Sequence, residues 1–391
     1  MRDALMGRPV NDRDYVVCGL TQDRFMSEFP DAFRVGRSFP VFLHDVGGMR
    51  CEIAFARREK KKGTGYKGFE VFCSPDITIE EDLFRRDSTV NSMARDADGR
   101  LIDPYGGARD IAARVIRATS EHFFEDPVRA LRAARQAAQF EFSIEPRTLS
   151  MMALCAEELR AEPAERKFSE LAKAIAARRP SLYFRNLLDA CLLENEFPWV
   201  FRLIGKTQPP EYHPEGDAFE HTMMVLDAAA EMTERPEVRF AALMHDIGKG
   251  ETPEAELPHH YGHEKRGEAM IEEIAAALSL PRTWSRSAAF AAREHMRTMR
   301  MKTPAKIRDL IRALENEAIG ADGFAVITAA DNHGELPAFL NDYDRLLELV
   351  KKASKCTVPE GLEGPRIGEY MRSREIDALR NDPVVMRLQS E

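Results

Sequence analysis

Near residue 120 the rhythm of the chain changes, and that change limits what it can fold into more than any other feature. Upstream, YVVCGL, FPVFLH, CEIAFAR, FEVFCS and LIDPYGG have the length and the aromatic or β-branched content of strands. Helix-compatible stretches at 79–96 and 107–117 lie among them. Downstream, DPVRALRAARQAAQF, EPRTLSMMALCAEELR, RKFSELAKAIAAR and PSLYFRNLLDACLLENEF place apolar residues three and four apart, with acids or serine near the starts and prolines at the first turns. These periods predict an α+β head followed by an all-α neck and body and a second all-α domain. At 391 residues the chain exceeds what one core ordinarily serves, so several domains are expected. The boundaries are placed at 1–117, 118–205, 206–345 and 346–391. GKTQPPEYHPEGD, 205–217, is rich in proline and glycine and reads as a linker, and 346–391 reads as one or two peripheral helices with a frayed tail.

No apolar run approaches a membrane span and the start has no apolar signal core, so a cytoplasmic protein with no membrane partner is expected. The six cysteines are scattered without a CxxC pair and read as reduced structural thiols. A net charge of −9 argues against indiscriminate nucleic-acid binding. Basic clusters at 56–68, 84–87, 128–135 and 176–185 nevertheless fit one polyanion groove on an otherwise repulsive surface, although such runs also serve as plain solvated faces.

In GRPVNDRDYVV, Asp12 and Asp14 precede a β-prone run, and on an extended strand residues two apart share a side. Carboxylates so placed repel unless a cation lies between them, which suits Mg²⁺ and phosphoryl or nucleotidyl transfer. A polar turn before an edge strand explains the pair equally well. Glu52 in CEIAFAR is a third acid able to join them from a neighbouring strand, or a solvent-facing strand residue. Arg85, Arg86 and Asp87 stand where a guanidinium can clamp phosphate or ribose. After Glu125-Asp126-Pro127, a strong helix start, Arg129, Arg132 and Arg135 recur every three residues and turn a basic stripe toward one groove.

The ordered blocks GRPVNDRDYVV, GRSFPVFL, EIAFARREKK, EEDLFRRDSTVNSMA, DPYGG and EDPVRALRAARQAAQF resemble the class II tRNA nucleotidyltransferases, the CCA-adding enzymes of the polymerase-β superfamily. The resemblance implies a polymerase-β-like mixed sheet, with Asp12, Asp14 and Glu52 as the catalytic carboxylates and Asp12 and Asp14 as Mg²⁺ ligands. It makes Arg2, Arg86, Arg132 and Arg135 nucleotide contacts, and Asp126 and Arg129 the pair that selects CTP or ATP through the base. Residues 57–68, with Arg57, Lys60 and Gly65, correspond to a mobile loop. One departure stands out: the family's opening strand and Gly-Gly turn are missing, and only Arg2 and Asp3 of that motif remain.

The region 206–345 holds eight of the ten histidines. His221, adjacent His245-Asp246 in FAALMHDIGKG, His263, His295 and Asp331 form an ordered set of imidazole and carboxylate donors suited to a divalent transition metal. The order resembles the HD phosphohydrolase superfamily. By that pattern His221, His245, Asp246 and Asp331 hold a first metal, His263 and His295 take phosphate or a second metal, and Lys249 steadies a phosphate. His259, His260 and His333 stay outside the set. A CCA-adding head before an HD domain resembles the bacterial multifunctional CCA proteins. It implies tRNA 3′ ends, CTP and ATP as partners, Mg²⁺ at the head, a divalent ion such as Ni²⁺ at the HD site, 2′,3′-cyclic phosphodiesterase, 2′-nucleotidase and phosphatase activities, and a monomer or homodimer. Three alternatives remain at this point: an HD hydrolase with an inactive head, a tRNA-binding module without catalysis, and a poly(A)-adding relative.

Overall fold

The computed structural model describes residues 1–10, 13–35, 41–61, 69–211 and 213–390. Asp12 and Gly65 therefore lie outside the described residues. Two compact units divide the chain: 1–174 with 182–196, and 175–181 with 197–391.

The first unit is built on a four-stranded mixed sheet in the order β1 (Asp14–Val17), β4 (Met49–Phe55), β3 (Val41–Val46), β2 (Phe33–Val35). β1 runs parallel to β4, while β3 is antiparallel to both β4 and β2. Alternate residues of β4, Cys51, Ile53 and Phe55, are buried, and the alternation turns Glu52 to the exposed face. Phe42, Ile53 and Phe55 pack against Phe25 of the helix Gln22–Glu28. The stretch 57–68 begins as a strand, β5 (Arg57–Lys61), paired antiparallel with β6 (Phe69–Cys73). Arg85 ties down its base through Glu59 (2.9 Å) and Asp82.

Two helices end earlier than periodicity suggests. The predicted 79–96 helix stops at Phe84, because Asp87 accepts from the Ser88 backbone (2.7 Å) and from the Asn91 amide (3.0 Å), offering the chain a competing local bond. The predicted 107–117 helix stops at Ala113, where Arg114 adopts φ 57° and the chain leaves as a short strand, Val115–Ile116. Beyond it the unit is helical apart from the two-residue strand Ser143–Ile144, which pairs with Val115–Ile116, and Val128–Phe140 buries Leu131, Ala134 and Ala138 as the spacing foretold.

The second unit is all helical. Its core joins Val225, Val238, Phe290, Ile307, Ile311 and Phe324, and it extends into the C-terminal stretch. The reading of 346–391 as peripheral and frayed is corrected here. Leu346, Val350, Leu379 and Val385 are fully buried in this core, and Glu375 binds Arg308 and Arg312. The chain closes on regular helices, Pro365–Arg380 and Pro383–Ser390. Buried Arg239 explains why 175–181 belongs to this unit, since its guanidinium donates to the carbonyls of Ile175 (3.1 Å), Ala177 (3.0 Å) and Ala230 (3.0 Å). Among the described residues no helix is long and apolar enough to cross a membrane.

Candidate functional sites

In the first unit the parallel pairing sets Asp14 directly beside Glu52, so the two exposed carboxylates share one face of the sheet. Sequence spacing alone left Glu52 unplaced, and the strand register supplies the missing relation. Among the described residues no hydrogen bond or ion pair joins these acids to the arginines discussed next.

Most of those arginines form one network. Arg2 donates to the Asn91 side chain (2.6 Å) and lies over the Phe140 ring, 4.6 Å from its centroid. Arg86 donates to the Asn91 carbonyl (3.2 Å) and to Asp82 (3.1 Å). The Asn91 amide reaches Asp87, which Arg132 approaches from the helix at 3.5 Å. Burial pushes the Asp87 carboxyl up, but Arg132, the Asn91 amide, Arg129 and the Ser88 N–H overcome it and hold the group below its ordinary value. Arg135 pairs with Glu170, and Arg129 is buried and donates to the His122 carbonyl (2.6 Å).

Asp126 is held by a residue the sequence reading did not single out. Arg166 spans both of its carboxylate oxygens at 2.9 and 3.1 Å. The helix Ala164–Ile175 thus brings Arg166 to the acid and Glu170 to Arg135. Contacts 35 and 40 residues apart leave no periodic trace in a sequence.

The second unit gathers the ends of five segments around one point. Asp217 caps the helix Ala218–Met232, accepting from the Glu220 N–H (2.9 Å), and places His221 in its first turn. Pro236 opens the helix Pro236–Met244, which delivers His245 and Asp246 at its end. The turn that follows must pass close to the start of the helix His263–Leu278: a Cβ on Gly248 would lie 2.1 Å from the His263 carbonyl oxygen. Only glycine fits there, which accounts for the glycine in HDIGKG. His295 comes from Arg282–Thr298, and Asp331 ends Gly320–Asp331.

The imidazoles are aimed. Nδ1 of His245 faces the Ala242 carbonyl (2.7 Å), that of His263 the His260 carbonyl (2.7 Å), and that of His295 the carbonyls of Ala291 and Ala292 (both 3.1 Å). A carbonyl only accepts, so each Nδ1 carries a proton and each Nε2 faces inward, with a lone pair to give whenever the ring is neutral. His221 has its Nδ1 on Glu215 (2.7 Å) instead. The four Nε2 atoms meet two carboxylates. His221 and His245 lie 3.0 and 3.6 Å from Asp331, and 3.6 and 3.2 Å from Asp246 Oδ2, while His263 and His295 both lie 3.1 Å from Asp246 Oδ1. Asp246 therefore stands between two triads, His221–His245–Asp331 and its own with His263 and His295. Lys249 Nζ contacts Asp246 and Gln208, each at 2.5 Å.

This donor set fits a divalent ion. Lone pairs of nitrogen and oxygen facing one another repel unless a cation lies between them, and His245 Nε2 and Asp246 Oδ1 are buried without a hydrogen-bond partner of acceptable geometry. The two carboxylates draw positive charge to the same place, a proton that a bound metal would displace. Burial disfavours charge on His245, yet Asp246 and Asp331 push its imidazole up to about 10. Burial pushes the Asp246 and Asp331 carboxyls up, but Lys249 and His245 at the first, and His221 and His245 at the second, hold them well below their ordinary value.

The segment 205–217, read as a linker, lies inside this unit and supplies part of the site. His213 and His221 share Glu215 (3.0 and 2.7 Å), whose carboxyl is depressed to about 2: burial raises it and the two imidazoles more than compensate. His260, left outside the metal set, is buried between Thr252 Oγ1 (2.8 Å) and the Thr207 carbonyl (3.0 Å), and its own carbonyl orients His263; His259 and His333 are exposed. His213 and Glu215 were findable only as polar residues inside a proline-rich stretch, which is a weak signal.

Comparison with known proteins gives a consistent picture. The family profile "Poly A polymerase head domain" matches residues 1–117, "Probable RNA and SrmB- binding site of polymerase A" matches 141–202, and "HD domain" matches 218–336. The chain is 40% identical over 395 residues to a multifunctional CCA protein of Nitrosococcus oceani, covering 97% of this chain and 96% of that one. It is 45% identical over 344 residues to the one from Aromatoleum aromaticum, covering 85% and 83%. Among solved structures, the Bacillus stearothermophilus CCA-adding enzyme in complex with CTP shares the fold, with a TM-score of 0.67 at 21% identity over 100% of this chain and 90% of that one.

Proposed function

The chain belongs to the multifunctional CCA protein family, CCA-adding tRNA nucleotidyltransferases with an HD domain, and on that premise we propose that it works at tRNA 3′ ends in two ways. The head adds the terminal CCA from CTP and ATP, and the histidine centre hydrolyses terminal phosphoesters, including 2′,3′-cyclic phosphates and 2′-phosphates. The functional division follows 1–117 for the head, 118–205 for the nucleotide-selecting neck and tRNA-binding body, and 206–345 for the HD domain, with 346–391 built onto its core.

At the head, Asp14 and Glu52, with Asp12, hold Mg²⁺, which supplies positive charge at the α-phosphate. Arg86, Arg132 and Arg135 exchange internal carboxylate and amide partners for the triphosphate, an exchange their partly exposed positions permit. Asp126 accepts from an exocyclic amino group of cytosine or adenine, and Arg129, with donors beyond the one on His122, completes the pairing.

At the second site His221, His245, Asp246 and Asp331 hold a divalent ion such as Ni²⁺, with His263 and His295 on the other side of Asp246 for a second ion or a phosphate. Metal bound there supplies an acidified water and charge at the phosphate. Lys249 neutralises Asp246 and stands ready to meet a phosphate oxygen, while Glu215 fixes the tautomer of His221. The observation that carries this reading is the convergence of four Nε2 atoms on two carboxylates, three of them fixed by backbone carbonyls behind the rings.

The test uses two substrates and two variants. Asp14→Asn, on an exposed strand face, is expected to abolish CTP and ATP incorporation into tRNA lacking its terminal CCA and to spare hydrolysis of a 2′,3′-cyclic nucleotide with Ni²⁺ or Mn²⁺. His245→Ala is expected to do the reverse. Full hydrolysis in His245→Ala, or full addition in Asp14→Asn, would overturn the corresponding assignment.

A further inference from the structure

The cavity over the histidine centre has a volume of about 1430 Å³, far more than a phosphate group fills. Pockets for small organic ligands run to roughly 300–1,000 Å³. Something larger than the reacting group is therefore accommodated beside it.

Two exposed rings stand on its wall. Tyr261 is 73% exposed, and its ring stacks on that of exposed His259 with centroids 5.6 Å apart and planes 29° from parallel. Both line the cavity that also reaches Asp246, Lys249 and Asp331. An isolated exposed aromatic needs no explanation, but this pair is held in place. The Tyr261 carbonyl accepts from Arg266 (2.8 Å), and His260, between the two residues in sequence, is anchored on Thr252 and Thr207. His263, whose imidazole belongs to the centre, follows Tyr261 by two residues. That fixes their Cα atoms within about 7 Å of each other, the scale of a single nucleoside. Exposed Arg297 and Arg300 line the same cavity and offer charge to further phosphates.

We propose that Tyr261, backed by His259, is the base-stacking wall that determines how the HD site holds the nucleoside of its phosphorylated substrate. The proposal rests on the phosphohydrolase reading of the centre and deepens it: the flat π-face accepts any base, giving a site selective for nucleotides and tolerant of sequence. A base at an RNA 3′ end and one in a free nucleotide meet the same chemistry at this wall.

The test is calorimetric binding of adenosine 2′-monophosphate, and separately of inorganic phosphate, to the full chain, Tyr261→Phe and Tyr261→Ala. Nucleotide held at the head contributes equally to all three and subtracts. The expected result is a loss of nucleotide affinity of about 5- to 150-fold in Tyr261→Ala, retention in Tyr261→Phe and unchanged phosphate binding. Equal nucleotide affinity in the two variants overturns the proposal, and so does a parallel loss of phosphate binding, which would mean that the loop and not the ring is at fault. A short RNA ending in a 2′-phosphate, run beside the mononucleotide, separates the sources: tighter binding that Arg297→Ala removes marks a strand end, equal binding marks a free nucleotide, and Tyr261 dependence in either supports the wall. If the parent chain hydrolyses no phosphoester yet shows this Tyr261-dependent binding, the hydrolase reading fails and the stacking wall stands.

Discussion

Replacing Glu215 by glutamine removes one charge and leaves the shape nearly intact, which makes it a sensitive probe of the histidine centre. The carboxylate accepts from His221 Nδ1 at 2.7 Å and also contacts His213 at 3.0 Å. A hydrogen bond to a charged group contributes roughly 1.5–3 kcal/mol and one between neutral groups roughly 0.5–1.5, so the exchange costs His221 about 1 kcal/mol of orientation and basicity. Loss of such a partner behind a metal-bound imidazole typically lowers metal affinity about 10- to 100-fold, equivalent to about 1.4–2.7 kcal/mol. The two routes overlap near the lower end, and a roughly tenfold weaker affinity is the expected value. It is measured by competing a chelating dye against the protein for Ni²⁺ and then Mn²⁺, with His245→Ala as the blank for ions bound elsewhere. Glu215→Gln within twofold of the parent chain would falsify the view that the 205–217 segment serves the metal, and would leave Glu215 a mere loop anchor.

Two further outcomes are expected. Arg166→Met releases Asp126 from the guanidinium nitrogen that bridges its two oxygens, and discrimination of CTP over UTP should fall by at least about tenfold, because a charge-assisted pair that orients the base-reading acid is lost; undiminished selectivity in a misincorporation assay would sink the role given to Arg166. His260 is pushed down by burial to about 4, whereas an exposed imidazole titrates near about 6.5. The unfolded chain then takes up the proton first, so this contribution to stability is complete above pH 6.5 and is lost as pH falls toward 4; Tm against pH should slope less across that window in His260→Gln, and identical slopes would refute it.

How much of this the sequence carried depends on the kind of relation involved. The strand-to-helix change near 120 and the burial of Leu131, Ala134 and Ala138 are periodic, and periodicity survives in one dimension. The histidines and Asp331 were visible because rare donors recur in a fixed order. Glu52 was visible only as a nearby acid, since its place beside Asp14 is a matter of register between strands almost forty residues apart. Arg166 and Glu170 read as helix-surface charges, because nothing local records that their partners stand on and just before another helix. Early helix ends at Phe84 and Ala113 came from side chains bonding their own backbone and from one left-handed residue, both stronger than a propensity summed over a window. The C-terminal stretch looked polar and peripheral because only a few of its residues, Leu346, Val350, Leu379 and Val385 among them, carry the packing.

Asp246 has one oxygen toward His221 and His245 and the other toward His263 and His295. A carboxylate shared in this way makes the two halves a single thermodynamic object. Any substitution that rotates it to suit one side misaligns it for the other, so the halves cannot be tuned or lost one at a time. Paired substitutions across the centre will be non-additive, and single-residue losses summed around it will exceed the loss on removing the whole.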